Sequence, residues 1–241
     1  MSNKAARAVV YIVCTPRPRV GKTLLARLAT DYARVDGRDV SLFDVNPHDP
    51  ILTEFQPRLS RIIDIQHTPD QMALFDALVQ DDGVTKVVDL GHMSFQRFFT
   101  LAEQIEAFDE TQRRKIEVMA LMPIDIHPAT RAALSDLIVR FPGVLAVPVE
   151  NPAVAPPPRS LPPGADRASP FKLPMLDLGL RPFVTNPSRS FYEFHEQVLE
   201  GVPPATAAKL QDWTRKVFLE FRELELGLLL RKLRSSLLQA S

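Results

Sequence analysis

The sequence has few of the features that stabilise secreted or membrane-spanning proteins. Its 241 residues include one cysteine, Cys14, which excludes an intramolecular disulfide and suits a reducing compartment. Cys14 closes an apolar run, so we expect a buried, inert thiol. No apolar run is long enough to cross a bilayer, and the basic start Met1–Arg7 leads directly into apolar residues, unlike a signal peptide. These absences predict a cytoplasmic protein.

Several classes of functional site also lack their sequence patterns. The 29 basic and 29 acidic residues cancel, so net charge gives no indication of nucleic-acid binding. The five histidines show no paired spacing and there is no CxxC, so no zinc site is expected. A GxSxG nucleophile motif and internal repeats are absent as well. The length fits one α/β domain with extensions, or one domain plus a small accessory one, and 45% hydrophobic and 24% charged residues allow a sizeable core.

The strongest positive pattern lies between residues 9 and 30. An apolar, β-branched run is followed by a turn containing proline and arginine, then by Gly21, Lys22 and Thr23 and a helical pattern. Strand, loop and helix in this order are the context of a phosphate-binding P-loop. We expect Lys22 to reach the β- and γ-phosphates and the Thr23 hydroxyl to bind Mg²⁺. An ordinary βα turn is the alternative.

The loop departs from the usual glycine-rich pattern. Pro16 stands where the first glycine is usual, and Pro18 removes a second N–H donor. A non-glycine residue held at positive φ here would be strained. Nevertheless, we predict phosphate contacts from the remaining residues of the loop and first helical turn: Arg19, Val20, Gly21, Lys22, Thr23 and Leu24.

The next apolar run, residues 39–45, ends in Asp44-Val45-Asn46-Pro47. A phosphate loop, a helix and a strand ending in this way resemble the ParA/MinD family of ATPases, within the group that includes dethiobiotin synthetase and nitrogenase iron protein. That family usually has Asp-x-Asp-Pro-Gln here. The resemblance implies that Asp44 lies near metal and phosphates and that position 46 orients the attacking water. Asn46 cannot act as a base, but it can hydrogen-bond water.

Three further positions complete the predicted site. Asp89 ends an apolar run and fits a Walker B carboxylate, which with Thr23 and Asp44 would hold Mg²⁺. Asn151 follows the strand predicted at 143–149, where the resemblance implies an adenine-reading amide; a plain Asn-Pro turn is the alternative. Arg17 occupies the place of the family's signature lysine, which crosses a dimer interface. Arginine supplies that charge with different geometry.

Alternating strands and helices predict βαβ units and an α/β fold, that is, a mostly parallel P-loop NTPase sheet with helices on both faces. The predicted domain spans residues 1–204 and contains a proline-rich loop at 151–174. Further helices are expected at 50–55, 70–79, 95–108, 128–141 and 191–199. Further strands are expected at 62–65, 86–90, 116–122, 143–149 and 173–178.

A long helical pattern occupies the C-terminal residues 205–241. Six residues share one face: Leu210, Trp213, Val217, Phe221, Leu224 and Leu228. Residues 228–238 mix leucines with arginine and lysine and contain no acid. They resemble the basic C-terminal helix of MinD-like proteins, which implies peripheral membrane contact. Packing on the domain, or against a second subunit, is the alternative.

The resemblance implies an MgATP-dependent homodimer that switches binding to a protein partner and positions plasmids, chromosomes, division machinery or secretion complexes. ATP or ADP and Mg²⁺ are the expected ligands. The catalytic candidates are Arg17, Lys22, Asp44 and Asn46. The altered loop and Asn46 favour an alternative, a non-hydrolysing scaffold on the same fold. A small-molecule enzyme resembling dethiobiotin synthetase is a third class.

Overall fold

A seven-stranded sheet forms the centre of the computed structural model, which describes residues 8–165, 169–196, 199 and 201–239. Every strand pairing among these residues is parallel. The spatial order is β3-β2-β4-β1-β5-β6-β7. The strands are β1 Val9–Val13, β2 Val40–Val45, β3 Ser60–Ile62, β4 Thr85–Leu90, β5 Glu117–Ile124, β6 Leu145–Glu150 and β7 Phe171–Lys172.

Helices connect and cover these strands. They are α1 Lys22–Val35, α2 Ile51–Phe55, α3 Thr68–Leu78, α4 Phe95–Gln104, α5 Ala107–Arg113, α6 Pro128–Arg140, α7 Arg181–Val184, α8 Phe191–Glu196 and α9 Pro204–Gln239, with a 3₁₀ turn at Leu178–Leu180 before α7.

The sheet has a hydrophobic core on each face, as expected for parallel strands. Alternate residues of β1 divide between them: Tyr11 belongs to the core under α1, α8 and α9, and Ile12 to the core under α3 to α6. Cys14 joins the second core and is fully buried, which raises the pKa of its thiol to about 12. The predicted α/β fold with a parallel sheet and helices on both faces is confirmed, and the arrangement is compatible with a P-loop NTPase.

The order of the strands creates a topological switch point at the end of β1. β1 lies between β4 and β5, and the chain after β1 goes to the β4 side, whereas the chain after β4 crosses to β5. Ligands of open α/β sheets bind at such switch points, outside the carboxyl ends of the strands. The β1–α1 loop stands at this place.

Two helix and strand predictions need correction in the middle of the chain. The single helix expected at 95–108 is two helices, α4 and α5, because Glu106 adopts a left-handed conformation with φ of 51° and ends the regular turn. The strand expected at 62–65 occupies Ser60–Ile62 instead, in register with Leu42–Asp44 of β2.

The strand predicted at 173–178 is wrong. The last strand is Phe171–Lys172, and the chain then leaves the sheet. Pro174 has no N–H to continue a ladder, and its carbonyl accepts a hydrogen bond from Trp213 Nε1 at 2.9 Å. The Asp177 side chain then accepts from the Gly179 N–H and begins the 3₁₀ turn.

The long C-terminal helix α9 is part of the first core. Leu210, Val217 and Phe221 are fully buried, while Leu224 and Leu228 pack on the same core as partly buried residues, so the predicted apolar face is confirmed. Among the described residues, no helix combines the length and the apolar character needed to cross a membrane. The side chains of residues 232 and 234–239 lie outside the described set. Membrane contact by 228–238 therefore stays a prediction.

Candidate functional site

The side chain of Lys22 makes a hydrogen bond across the β1–α1 loop. Helix α1 begins directly after Gly21, and the Lys22 Nζ atom donates to the Arg17 carbonyl at 2.8 Å, across the loop. Burial lowers the pKa of Lys22, and the nearby Asp89 carboxylate opposes this shift. Arg19 adopts a φ of 57°, so this loop does hold a non-glycine residue in the left-handed region. The loop thus places a cation and the helix N-terminus at one point.

Asn151, directly after β6, contacts this loop through its side chain. Its side chain is almost fully buried, and Nδ2 donates to the Val20 carbonyl at 3.4 Å. A Cβ atom added at Gly21 would lie 2.6 Å from Asn151 Nδ2, and the φ of Gly21 is +90°, so only glycine fits there. Adenine recognition by Asn151 stays a prediction. Its contact with the loop, 131 residues away, was not visible in the sequence.

Thr23 and Asp89 meet directly beneath the start of α1. The Thr23 hydroxyl donates to Asp89 Oδ2 at 2.6 Å. Asp89 is buried at the end of β4, and burial raises the pKa of its carboxyl to about 7. The Asp44 charge raises that pKa further, whereas the Thr23 hydrogen bond and the Lys22 charge lower it. The two predicted Mg²⁺ residues from β4 and α1 are therefore in contact.

Asp44 lies beside Asp89 on the neighbouring strand. The two residues are register partners of β2 and β4, so their side chains extend on the same face. Thr53 donates to Asp44 Oδ2 from its backbone N–H, at 3.0 Å, and from its hydroxyl, at 3.3 Å. Asp44 Oδ1 is buried and has no hydrogen-bond partner among the described residues. Burial raises the pKa of Asp44 to about 6.

This donor set fits Mg²⁺ bound together with phosphate. The described residues contain no group of three or more His, Cys, Asp or Glu side chains that could hold a metal by themselves. Mg²⁺ is usually bound by one or two carboxylates, water and substrate phosphates rather than by a protein cage. The orphaned oxygen of Asp44, the Asp89 carboxylate and the Thr23 hydroxyl match that requirement.

Asn46 stands at the rim of the same site, where it stabilises a turn. Its Nδ2 atom donates to the Asp49 carbonyl at 2.6 Å. A Cβ atom at Gly91 would lie 3.0 Å from both Asn46 Oδ1 and the Val45 carbonyl, so the ends of β2 and β4 approach closely here. This contact gives a structural reason for the glycine two residues after Asp89. Orientation of water by Asn46 stays a prediction.

Arg17 extends from the loop towards the end of β5. Its Nε atom lies 3.3 Å from Asp125 Oδ2, and about a third of the arginine side chain is exposed. Asp125 also accepts from the Thr130 hydroxyl at 2.7 Å and from the His127 N–H at 3.0 Å. Sequence reasoning missed Asp125, because only the β1–β5 pairing brings it to the loop. A role of Arg17 across a dimer interface stays a prediction.

A groove of about 250 Å³ lies elsewhere, between α9 and the β6–β7 edge of the sheet. None of the predicted site residues lines it.

No protein-family model matches this chain, and a search of curated proteins finds no similar sequence.

Proposed function

We propose that this chain binds ATP or ADP with Mg²⁺ at the β1–α1 loop and acts as a ParA/MinD-like switch. The observation that carries the proposal is the 2.6 Å contact between the Thr23 hydroxyl and the buried Asp89 carboxylate, directly under a helix N-terminus. A P-loop nucleotide site requires this pairing of a hydroxyl and an acid at the metal position. The neighbouring carboxylate, Asp44, and the loop cation, Lys22, support the same assignment.

Each group has a defined task in this proposal. Backbone N–H groups at the start of α1 bind phosphate oxygens, aided by the helix dipole. Lys22 exchanges its hydrogen bond to the Arg17 carbonyl for a phosphate oxygen. Asp44 and Asp89 lose the energetic cost of two neighbouring buried carboxylates once a cation is near. Bound Mg²⁺ supplies positive charge that neutralises the phosphates.

Position 46 distinguishes two versions of this proposal, one that hydrolyses ATP and one that does not. Asn46 lacks a carboxylate, and its amide already donates to the Asp49 carbonyl. This observation favours the second candidate function, a nucleotide-binding scaffold that hydrolyses slowly or not at all. In both versions the proposed partners are a second copy of the chain and another intracellular protein, in positioning or partitioning.

Calorimetric titration with ATP and ADP, with and without Mg²⁺, tests the binding proposal. The unaltered chain should bind with micromolar affinity, about 8 kcal/mol, in a Mg²⁺-dependent manner. Lys22→Ala should lose at least about 100-fold in affinity while retaining its circular dichroism spectrum. Lys172→Ala, at an exposed lysine on β7, is the matched control and should bind normally. Unchanged ATP affinity in Lys22→Ala would exclude this loop as the site.

Phosphate release then separates the two versions of the proposal. If position 46 lacks the group that prepares water, Asn46→Asp should raise the hydrolysis rate while leaving ATP affinity within a few-fold. Equal rates in the two proteins would instead show that turnover is limited elsewhere in the site. Absence of hydrolysis in both, with normal binding, would support the scaffold.

A further inference from the structure

The carboxylate of Asp44 is held by the chain at one of its two oxygen atoms. Thr53, in α2, donates to Oδ2 from its hydroxyl at 3.3 Å and from its backbone N–H at 3.0 Å, and it shares that N–H with the Pro50 carbonyl at 3.1 Å. Oδ1 is buried, and the described part of the chain offers it no hydrogen-bond partner. Carboxylates that bind a metal are themselves usually hydrogen-bonded, which fixes their orientation. The contacts of Asp44 match this arrangement.

A second hydroxyl fixes the direction of the hydrogen bond from the Thr53 side chain. The Oγ atoms of Thr53 and Ser60 lie 2.8 Å apart. Because an ionised carboxylate can only accept, the Thr53 hydroxyl donates to Asp44, and the Ser60 hydroxyl donates to Thr53. Ser60 begins β3, which pairs with β2 on the side opposite to β4 and Asp89. Oδ2 of Asp44 is therefore held from the β3 side of the site.

Two contacts attach α2 to α1, the helix that begins with the predicted phosphate and metal ligands. The guanidinium carbon of Arg27 lies 3.5 Å from the centre of the Phe55 ring. Gln56, directly after α2, donates from Nε2 to Asp31 Oδ1 at 3.3 Å. The groups of a site are most precisely oriented when packed elements and hydrogen bonds hold their partners in place. Helix α1 therefore holds its own N-terminal residues and, through α2, the donor groups of Thr53.

We infer that Thr53 is a positioning residue of the cation site: it holds Oδ2 of Asp44, leaves Oδ1 for the cation and is itself directed by Ser60. The inference rests on the proposed function, because a cation is expected at Asp44 together with the phosphates of a nucleotide. It also makes α2 part of the regulation of this site. A change that displaces Thr53 from Asp44 weakens cation binding, and by thermodynamic linkage cation binding stabilises this contact by the same free energy.

Calorimetric titration with ATP, in Mg²⁺ and in EDTA, tests the role of Thr53. Thr53→Val removes the hydroxyl and keeps the N–H, so it should reduce the gain in ATP affinity that Mg²⁺ provides by about ten-fold or more, the usual cost of removing a partner of a metal ligand. Its affinity in EDTA should not change. Thr53→Ser keeps both donors and should restore the gain. Thr111→Val, which removes a buried hydroxyl hydrogen bond in α5, controls for lost stability and should bind as the unaltered chain does.

Ser60→Ala tests the second hydroxyl and also serves if Thr53→Val does not fold. It should reduce the affinity gain from Mg²⁺ by a smaller factor than Thr53→Val does. In the double variant with Thr53→Val it should add no further loss, because Ser60 acts through the Thr53 hydroxyl. A full gain in Ser60→Ala, or a further loss in the double variant, would overturn the role of Ser60.

The same titrations separate failure of this inference from failure of the proposed function. If the unaltered chain gains affinity from Mg²⁺ and Thr53→Val gains as much, the inference is overturned while the proposed function stands. A loss of the gain in Thr53→Ser, or an equal loss in Thr111→Val, would overturn it as well. If the unaltered chain itself shows no Mg²⁺-dependent binding of ATP, the proposed function fails, and the inference fails with it.

Discussion

Two polar clusters lie under the same layer of helices and differ in how their charges are balanced. In the Glu225 cluster, three side chains donate to one carboxylate: the Tyr11 hydroxyl, the Tyr32 hydroxyl at 3.1 Å and Arg38 Nη1 at 2.8 Å. The arginine cation belongs to the fold and neutralises Glu225 directly. This cluster ties α9 to β1 and α1, and the charge of Glu225 is balanced within the chain.

In the part of the chain that the structure describes, no cation is bonded to the Asp44–Asp89 cluster. Its carboxylates receive hydrogen bonds from Thr23 and Thr53, while the nearest lysine, Lys22, donates to a backbone carbonyl instead. Burial raises the pKa values of Asp44 and Asp89 to about 6 and about 7. The comparison shows one cluster whose carboxylate is paired with an arginine of the chain and a second whose two carboxylates receive hydrogen bonds from threonines.

The largest change in stability should come from removing the carboxylate of the Glu225 cluster. Glu225→Ala removes the common acceptor of two tyrosines and leaves the mostly buried Arg38 without its strongest partner. We expect a loss of about 3 kcal/mol in the free energy of unfolding, measured by urea denaturation. Glu223→Ala, two residues earlier on the exposed side of α9, should change stability by less than about 0.5 kcal/mol. Equal losses of stability in the two variants would mean that the Glu225 cluster contributes little to the free energy of unfolding.

Removing a charge from the Asp44–Asp89 cluster should raise the free energy of unfolding instead of lowering it. Asp89→Asn eliminates a buried carboxylate that the fold stabilises poorly, while Thr23 can still donate to the amide oxygen. We expect the ligand-free protein to gain about 1–2 kcal/mol at pH 8. The Mg²⁺-dependent part of nucleotide affinity should be lost. Asp136→Asn, on the exposed side of α6, should alter neither quantity, and a destabilised Asp89→Asn would contradict the difference between the clusters.

The pH dependence of stability should report the same carboxylates. Their pKa values are about 6 and 7 in the folded chain and near 3.8 when unfolded, so between these limits the folded state binds more protons. The contribution of these groups to stability is therefore present at low pH and lost as pH rises through 6 to 7. We expect the free energy of unfolding to fall between pH 5 and pH 8. Asp89→Asn should flatten this slope, whereas the Glu223→Ala profile should match that of the unaltered chain.

Residues of the site that depend on local pattern could be predicted from the sequence. Lys22 and Thr23 follow an apolar strand and open a helix, and Asp44 and Asp89 each end a buried strand, so their meeting at one edge of a parallel sheet follows from chain order. The residues that complete these groups could not be predicted. Asn151 contacts the β1–α1 loop across 131 positions, because strand order, which is not encoded locally, brings β6 near β1.

The same distinction applies to the fold. Periodicity located α9 and its buried face, because six apolar residues share one side of a long helix. The Glu225 cluster was not predicted, since a glutamate beside that face is indistinguishable from a solvated one until Arg38 and Tyr32 are placed against it, 187 and 193 positions away. The end of the last strand was also mispredicted, because Pro174 ends a run whose apolar residues otherwise continue.

The smallest expected effect concerns two residues with a strained backbone, one inside the β1–α1 loop and one outside it. Arg19 and Lys115 adopt nearly the same left-handed backbone, with φ of 57° and 60°, but only Arg19 lies in the loop. Arg19→Gly and Lys115→Gly should each raise the free energy of unfolding by about 0.5 kcal/mol, because glycine adopts this conformation without strain. Titration should show a several-fold lower ATP affinity for Arg19→Gly alone, since its guanidinium is then absent beside the phosphates. If both variants bind ATP equally well, Arg19 supplies only its backbone N–H to the site.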